Sequence, residues 1–345
     1  MDTGNIVVTI ITALLVLTLL IVVHEFGHYI AAKKRGIKVA EFAVGFGPRL
    51  IKWHRNETEF SIRPIFFGGF VKFADDEERA PQKGDFRAAS LKSRILTIAA
   101  GPVMNMIVAV IISVVVLCAF GDYQPRIAEV EAGSTAYEAG LREGDIIREI
   151  NGVRIDFATY DWQDYQRAAQ GESLPITVLR EGETQSFDVP YMDELSEEGR
   201  KVTGINIEAI PRKYNFFEAV GLSFKWLGMM IREMFSVLGR LFFMGQGVEN
   251  LTGIVGTVAI VGAAAQQGLD LLLKMIAMIS INLAVINLLP IPALDGGKLV
   301  MYAVEGVRKK PAPEKLEGFL NLAGFVLIMG LAVFLVVQDI SRMVV

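Results

Sequence analysis

Cysteine and histidine are nearly absent from this chain, which has one and three of them in 345 residues. A single cysteine excludes an intramolecular disulfide, so any part that folds outside a membrane must hold together through its own apolar core. Cys118 lies within an apolar run and reads as a small buried side chain. Charge is missing from long blocks: no Asp, Glu, Lys or Arg occurs in Ile6–Val23, Ile95–Phe120, Met275–Leu294 or Phe319–Gln338. Each block is long enough to cross most or all of the hydrocarbon of a bilayer. With 52% hydrophobic residues overall, an ordinary soluble protein is excluded. The first block follows Asp2 instead of a basic flank, and no small-x-small cleavage site follows it, so it is expected to stay in the chain as a membrane helix. A surplus of positive charge is missing too. The net charge is −4 and the basic residues sit in short loops beside the apolar blocks, which excludes a nucleic-acid interface.

What is present is concentrated at the end of the first block, in His24-Glu25-Phe26-Gly27-His28. On a helix, residues i and i+4 share a face one turn apart, so both imidazoles can reach one Zn²⁺ while Glu25 stands beside the place of a reacting water. An ionisable group within a membrane helix costs at least ~2.5–3.5 kcal/mol, and three within five residues imply a function that repays them. The chemistry this spacing suggests is peptide hydrolysis, with Glu25 as general base. The remaining histidine, His54, lies between Trp53 and Arg55 and reads as an interfacial or solvated residue.

Loop charges orient the spans. Lys33, Lys34, Arg35 and Lys38 follow the first, Arg87, Lys92 and Arg94 precede the second, and Lys298, Arg308, Lys309, Lys310 and Lys315 separate the third from the fourth, which marks the cytoplasmic side. Both termini then face outward, as does the segment from Gln124 to about Ile210, which is acidic, with 18 Asp/Glu against 8 Lys/Arg. A catalytic zinc takes three protein ligands and leaves a position for water. The third block runs into Asn287-Leu288-Leu289-Pro290-Ile291-Pro292-Ala293-Leu294-Asp295-Gly296-Gly297, so that Asp295 closes an apolar run on the same side as His24 and His28. It is the candidate third ligand.

The outer segment alternates like a small sheet domain. Arg126–Val130, Ile146–Ile150, Leu174–Arg180 and Thr184–Val189 read as strands, Ser134–Gly140 and Asp161–Ala169 as helices, and Asn151-Gly152 as a tight turn. The run from Ala139 to Gly152, AGLREGDIIREING, resembles the signature of PDZ domains. Such domains bind extended peptides by adding a strand to a sheet edge. The alternative is a steric gate, and the two readings stay open.

Taken together, HExxH on a first membrane helix, Asn-x-x-Pro-x-Pro-x-Leu-Asp-Gly on a later one and a single PDZ-like segment between them resemble the bacterial site-2 proteases (RseP type, peptidase family M50). The resemblance implies an intramembrane zinc metalloprotease of the bacterial inner membrane that cuts transmembrane protein substrates, for example an anti-sigma factor or remnant signal peptides. It implies zinc on His24, His28 and Asp295, Glu25 as general base, and substrate-binding roles for Asn105, Asn287, Pro290 and Pro292. Gly101-Pro102-Val103-Met104-Asn105 matches the family's GPxxN motif. Gly45-Phe46-Gly47-Pro48 with Thr58–Phe73 resembles its membrane-associated β-hairpin, and Tyr214–Gly245 reads as an amphipathic helix lying against membrane lipid.

The expected fold is thus an α-helical polytopic membrane protein of four transmembrane helices, with a β-hairpin and an inserted extracytoplasmic α+β PDZ domain open to a peptide or partner. The expected divisions are 1–123, 124–210, 211–268 and 269–345. Two departures stand out. Gly253-Ile254-Val255-Gly256 replaces a Gly-Pro-x-Gly element common before the third span, and one PDZ segment is legible where enteric members carry two.

Overall fold

The computed structural model describes residues 3–74, 82–155, 173–192, 203–245, 247–248, 251–310 and 313–344. They form two compact units, one of Met1–Ser113 with Met230–Val345 and one of Val114–Met229. In chain order the elements are α1 (Thr3–Lys34), β1 (Val39–Phe46), β2 (Ile51–Arg55), β3 (Thr58–Ile62), β4 (Ile65–Phe73), α2 (Leu91–Ala119), β5 (Asp122–Val130), α3 (Thr135–Glu138), β6 (Ile146–Ile150), β7 (Val153–Arg154), β8 (Ser173–Arg180), β9 (Glu183–Pro190), β10 (Ile205–Arg212), α4 (Phe216–Gly239), α5 (Ile254–Gln267), α6 (Leu269–Leu288), α7 (Asp295–Arg308) and α8 (Glu314–Val344). A single π-helical turn, Arg240–Met244, follows α4.

Among the described residues, four helices are long and apolar enough to cross a membrane, within α1, α2, α6 and α8. Three extend past the charge-free blocks: α1 carries the HExxH motif onward to Lys34, α2 begins at Leu91, and α8 runs through Asp339 to Val344. The third differs from expectation. Its helix begins at Leu269, taking in Asp270 and Lys274, and ends at Leu288 instead of Leu294. Leu289 turns extended, with φ −63° and ψ 145°, because a residue before proline is pushed out of the α region. Asp295 therefore does not end the span; it is the first residue of the next helix, α7.

The expected β-hairpin is larger than a hairpin. β1 joins it to make a four-stranded sheet in the order β2-β3-β1-β4, with β1 parallel to β3 and antiparallel to β4. Glu41 of β1 is buried on this sheet and accepts hydrogen bonds from Arg49 (3.0 Å), Arg63 (2.6 Å) and Ser61 (2.6 Å). Burial works to raise its carboxyl, but these donors outweigh it and hold the group at about 2. β4 is an edge strand and lies along α1, where the Thr18 hydroxyl donates to the Phe66 carbonyl at 2.7 Å.

The segment after α4 holds a second difference, since a further helix, α5, stands where only a connection was expected. At 14 residues it is too short to span, and it packs against α1 and α6 through Ala13, Val16, Leu20, Val261 and Ile276. Its N-cap is Gly253, which has no side chain to satisfy the first N–H groups. Asp339 of α8 does so from outside, accepting from Gly253 N at 3.2 Å and Gly256 N at 2.8 Å while only 3% exposed. The Gly-x-x-Gly spacing here serves a cap delivered by another helix.

The Val114–Met229 unit is built on a sheet in the order β10-β5-β6-β8-β9, with β7 paired to β6. Ile127, Leu141, Ile147, Ile150, Leu174 and Ile176 are among its core residues. Asn151 and Gly152, both at positive φ, make the tight turn between β6 and β7, and Glu181-Gly182 makes another between β8 and β9. Ser134 caps α3. The AGLREGD run owes its character to Asp145, only 2% exposed, which is held by both the Nε and Nη2 of Arg180 at 2.7 and 2.6 Å and by the Arg142 amide at 2.9 Å. The helix expected at Asp161–Ala169 lies outside the described residues. α4 is helical where an amphipathic helix was expected and leaves Phe216, Phe217, Phe224 and Phe235 exposed.

The Asp339 cap predicts a measurable loss. Asp339→Ala should lower stability by about 1–2 kcal/mol, the usual worth of a helix cap, and Asp339→Asn should recover part of it. Thermal unfolding of the purified variants in one detergent checks this, and an unchanged midpoint for Asp339→Ala would remove the cap from the account.

Candidate metal centre and active site

His24 and His28 lie one turn apart on α1, and both are buried. Their Nε2 atoms approach to 3.2 Å, and Asp295 Oδ2 comes from the start of α7 to 3.0 Å from the first and 3.2 Å from the second. Three donor atoms at these separations match the edge of a tetrahedron of zinc ligands, roughly 3.3 Å for metal–ligand bonds of ~2.0–2.1 Å. Among the described residues this is the one group of three or more His, Cys, Asp or Glu so gathered. The imidazole of His28 is oriented from behind by the Thr97 carbonyl, 2.9 Å from its Nδ1. A proton held there leaves Nε2 with a free lone pair facing the centre. The donor set fits zinc: two nitrogens and one carboxylate oxygen converge with no side chain interposed.

This convergence depends on two glycines where α1 crosses α2. A Cβ placed on Gly27 would lie 2.2 Å from the Ala100 carbonyl oxygen, and one on Gly101 would lie 2.4 Å from His28 Nε2 and 2.8 Å from His24 Nε2. Hydrogen side chains at both positions let the two helices meet backbone to backbone and leave the space that the imidazoles occupy. Gly296 and Gly297 do the same for Asp295. Cβ atoms on them would meet the Leu289 and Ile291 carbonyl oxygens at 2.2 and 2.4 Å, so the turn from α6 folds tightly over the start of α7.

The donors open on a cavity of about 370 Å³, lined also by Glu25, Asn105, Asn287, Phe70, Val71 and Lys298. Glu25 is half-buried and shares the cavity with Val71 of β4. Asn105 is fully buried; Ser280 of α6 holds its backbone carbonyl at 2.9 Å, yet neither Oδ1 nor Nδ2 of its side chain has a partner. An amide left with unmet hydrogen bonds beside a cavity is equipped to meet a ligand's backbone. Asn287, from the last turn of α6, lines the same space.

Pro290 and Pro292 do not line it. Pro290 is exposed, and Pro292 lies beneath Gly324 of α8, where an added Cβ would come 2.0 Å from the Pro292 carbonyl oxygen. Their geometry is that of residues shaping the turn before Asp295. His54 stands apart from the cavity on the exposed strand β2, with its Nε2 3.3 Å from Glu59. Lys298, read from the sequence as a loop charge, is on the cavity wall; its position one turn after Asp295 on α7 is the signal that would have found it.

Gly101 yields a direct test of the centre. Gly101→Ala should weaken zinc retention by 10- to 100-fold, the scale on which displaced ligands and their supports act. Gly330→Ala, where a Cβ meets nothing within 4 Å, should change nothing. Metal analysis of the purified variants reads both, and full zinc in Gly101→Ala would overturn the account of the crossing.

Comparison with known proteins agrees with this chemistry. The model of peptidase family M50 matches residues 12–331. Of three curated relatives that each carry the name "Putative zinc metalloprotease", one from Clostridium perfringens is 35% identical over 335 residues, covering 96% of this chain and 98% of its own. One from Synechocystis is 35% identical over 350 residues, covering 96% and 94%, and one from Rhizobium meliloti is 33% identical over 368 residues, covering 98% and 97%. With the match extending over nearly all of its length, the chain belongs to peptidase family M50, and it is a membrane protein and a zinc-dependent metalloprotease.

Proposed function

We propose that this protease works as a site-2 type enzyme, hydrolysing peptide bonds within transmembrane segments of other proteins, with His24, His28 and Asp295 holding the zinc and Glu25 acting as general base. The observation that carries the reading is a set of metal donors and a free carboxylate around one cavity, supplied by helices apolar enough to lie in a bilayer. When bound, the zinc supplies Lewis acidity, polarising a carbonyl and acidifying a water. Glu25 takes the proton that the attacking water loses and passes it to the departing amine.

A helical substrate hides its amides, so the segment to be cut must unwind before its scissile bond can be reached. β4 is suited to receive it, since it is an edge strand and its Phe70, Val71 and Phe73 line the cavity. The unpaired amide of Asn105 and that of Asn287 then hold the opened backbone, while Pro290 and Pro292 act at one remove by shaping the turn that presents Asp295. We assign residues 124–210 as a PDZ domain, a reading supported by the six-stranded unit and by Asp145 and Arg180 at its signature. That domain governs access for a peptide or partner. The remaining divisions, 1–123, 211–268 and 269–345, form the membrane part, where α4 lies against lipid through its exposed phenylalanines. The setting is the bacterial inner membrane, with both termini and the PDZ domain outside and the zinc toward the cytoplasm. Release of a signalling fragment, as from an anti-sigma factor, or clearance of signal peptides follows from such an activity.

Three outcomes are expected. Glu25→Gln should keep one zinc per chain and still crosslink a model transmembrane substrate, yet cleave it at least ~10²-fold more slowly; cleavage near the wild-type rate would remove Glu25 as the base. His24→Ala with His28→Ala should lose the zinc on metal analysis, and full zinc in that variant would move the site elsewhere. In a chain with Cys118 replaced, a cysteine at Thr184 should react with an impermeant thiol reagent in intact spheroplasts and one at Lys309 only after lysis, the reverse pattern overturning the orientation.

A further inference from the structure

We propose that Lys298 is a catalytic residue whose ammonium binds the scissile carbonyl oxygen and stabilises the negative charge that gathers there. This rests on the reading of the cavity as the hydrolytic site and adds to it a role that neither the HExxH nor the Asp motif supplies.

The placement is specific. Lys298 is the one Lys or Arg among the residues lining the cavity, half-buried, and set one turn after Asp295 on the same helix face. Two carboxylates, Asp295 and Glu25, line the same space. Among the described residues, however, the Lys298 side chain has no hydrogen bond or ion pair, while its backbone amide donates to the Leu294 carbonyl at 3.3 Å. A lysine kept for fold stability would close on the nearest carboxylate. A cation that shares a cavity with two acids and pairs with neither is available to a ligand, and the ligand of this cavity is a peptide carbonyl.

The chemistry has a use for it. As water adds to the carbonyl carbon, one proton passes to Glu25 and the C=O π pair moves onto oxygen, so a full negative charge develops on an atom that was neutral in the substrate. The C–N bond then breaks and the nitrogen takes the proton from Glu25, yielding a carboxylic acid and an amine, and the acid's remaining proton passes to the amine to leave a carboxylate and an ammonium. A fixed ammonium facing that oxygen acts chiefly on the charged tetrahedral species and little on the neutral amide, which is the difference that raises rate and not affinity.

The test uses the full zinc-loaded enzyme in detergent or liposomes, with Lys298→Met and Lys298→Arg. Lys298→Met should keep its zinc and its crosslinking to the uncleaved substrate in a Glu25→Gln background. It should lower cleavage by ~10²–10³-fold through kcat and weaken binding of a phosphinic peptide, whose charged tetrahedral oxygen imitates the transition state, by a comparable factor. Lys298→Arg should restore part of both. Cleavage by Lys298→Met within threefold of wild type would overturn the proposal, as would a fall in substrate crosslinking equal to the fall in cleavage with phosphinate binding intact, since that marks an anchor for the ground state. Loss of zinc or of thermal stability in Lys298→Met with no rescue by Lys298→Arg would show a structural lysine and also overturn it. Failure of the underlying reading is separate: there Glu25→Gln itself would cleave normally.

Discussion

Close approach of helix backbones is the constraint from which the rest of the site follows. Two imidazoles and a carboxylate from elements 271 residues apart in the chain must bring their donor atoms to within 3.2 Å. Imidazole side chains are short, so the helix that carries them must be pressed against its neighbour without any side chain in the gap. Gly27 and Gly101 permit that contact at the α1–α2 crossing, and Gly296 with Gly297 permits the turn that brings in Asp295. In an apolar medium such crossings are favoured where small residues face one another, because association there relies on packing and not on the exclusion of water.

The same medium explains how the polar groups are distributed. A backbone group without a partner is costly in hydrocarbon, so the N-terminus of α5, lacking its own capping side chain, is met by Asp339, and the carbonyl of Phe66 on the edge strand is met by Thr18. Glu41 is likewise surrounded by donors. At the cavity, the side-chain amide of Asn105 has no partner and the Lys298 ammonium is unpaired. Both are placed where a ligand can meet them.

The Val114–Met229 unit shows a different solution to folding without disulfides. Its core is aliphatic, and its most polar buried group, Asp145, is fixed by a two-point contact with Arg180 and by a backbone amide. The aspartate of the AGLREGD run thus has a local structural reason.

By itself the sequence determined the membrane character, the four spans, the helical pairing of His24 with His28 and most strands of the Val114–Met229 unit, because each follows from local periodicity, charge or a tight-turn pair. It also singled out Asp295, through an acid placed at the end of an apolar run. What it misjudged or missed depended on neighbours remote in the chain. The third span stops at Leu288 because Pro290 breaks it, which a charge count does not register, and β1 enlarges a hairpin to a sheet through a parallel pairing with β3. α5 was not foreseen, since its cap lies 83 residues away on another helix. Only the tertiary structure decided that Asn105 has an unmet amide, that Pro292 supports a turn instead of facing the cavity, and that Lys298 belongs to the cavity wall and not to a loop. A side chain's environment is set by whatever packs against it, and in this protein those partners come from helices far apart in sequence.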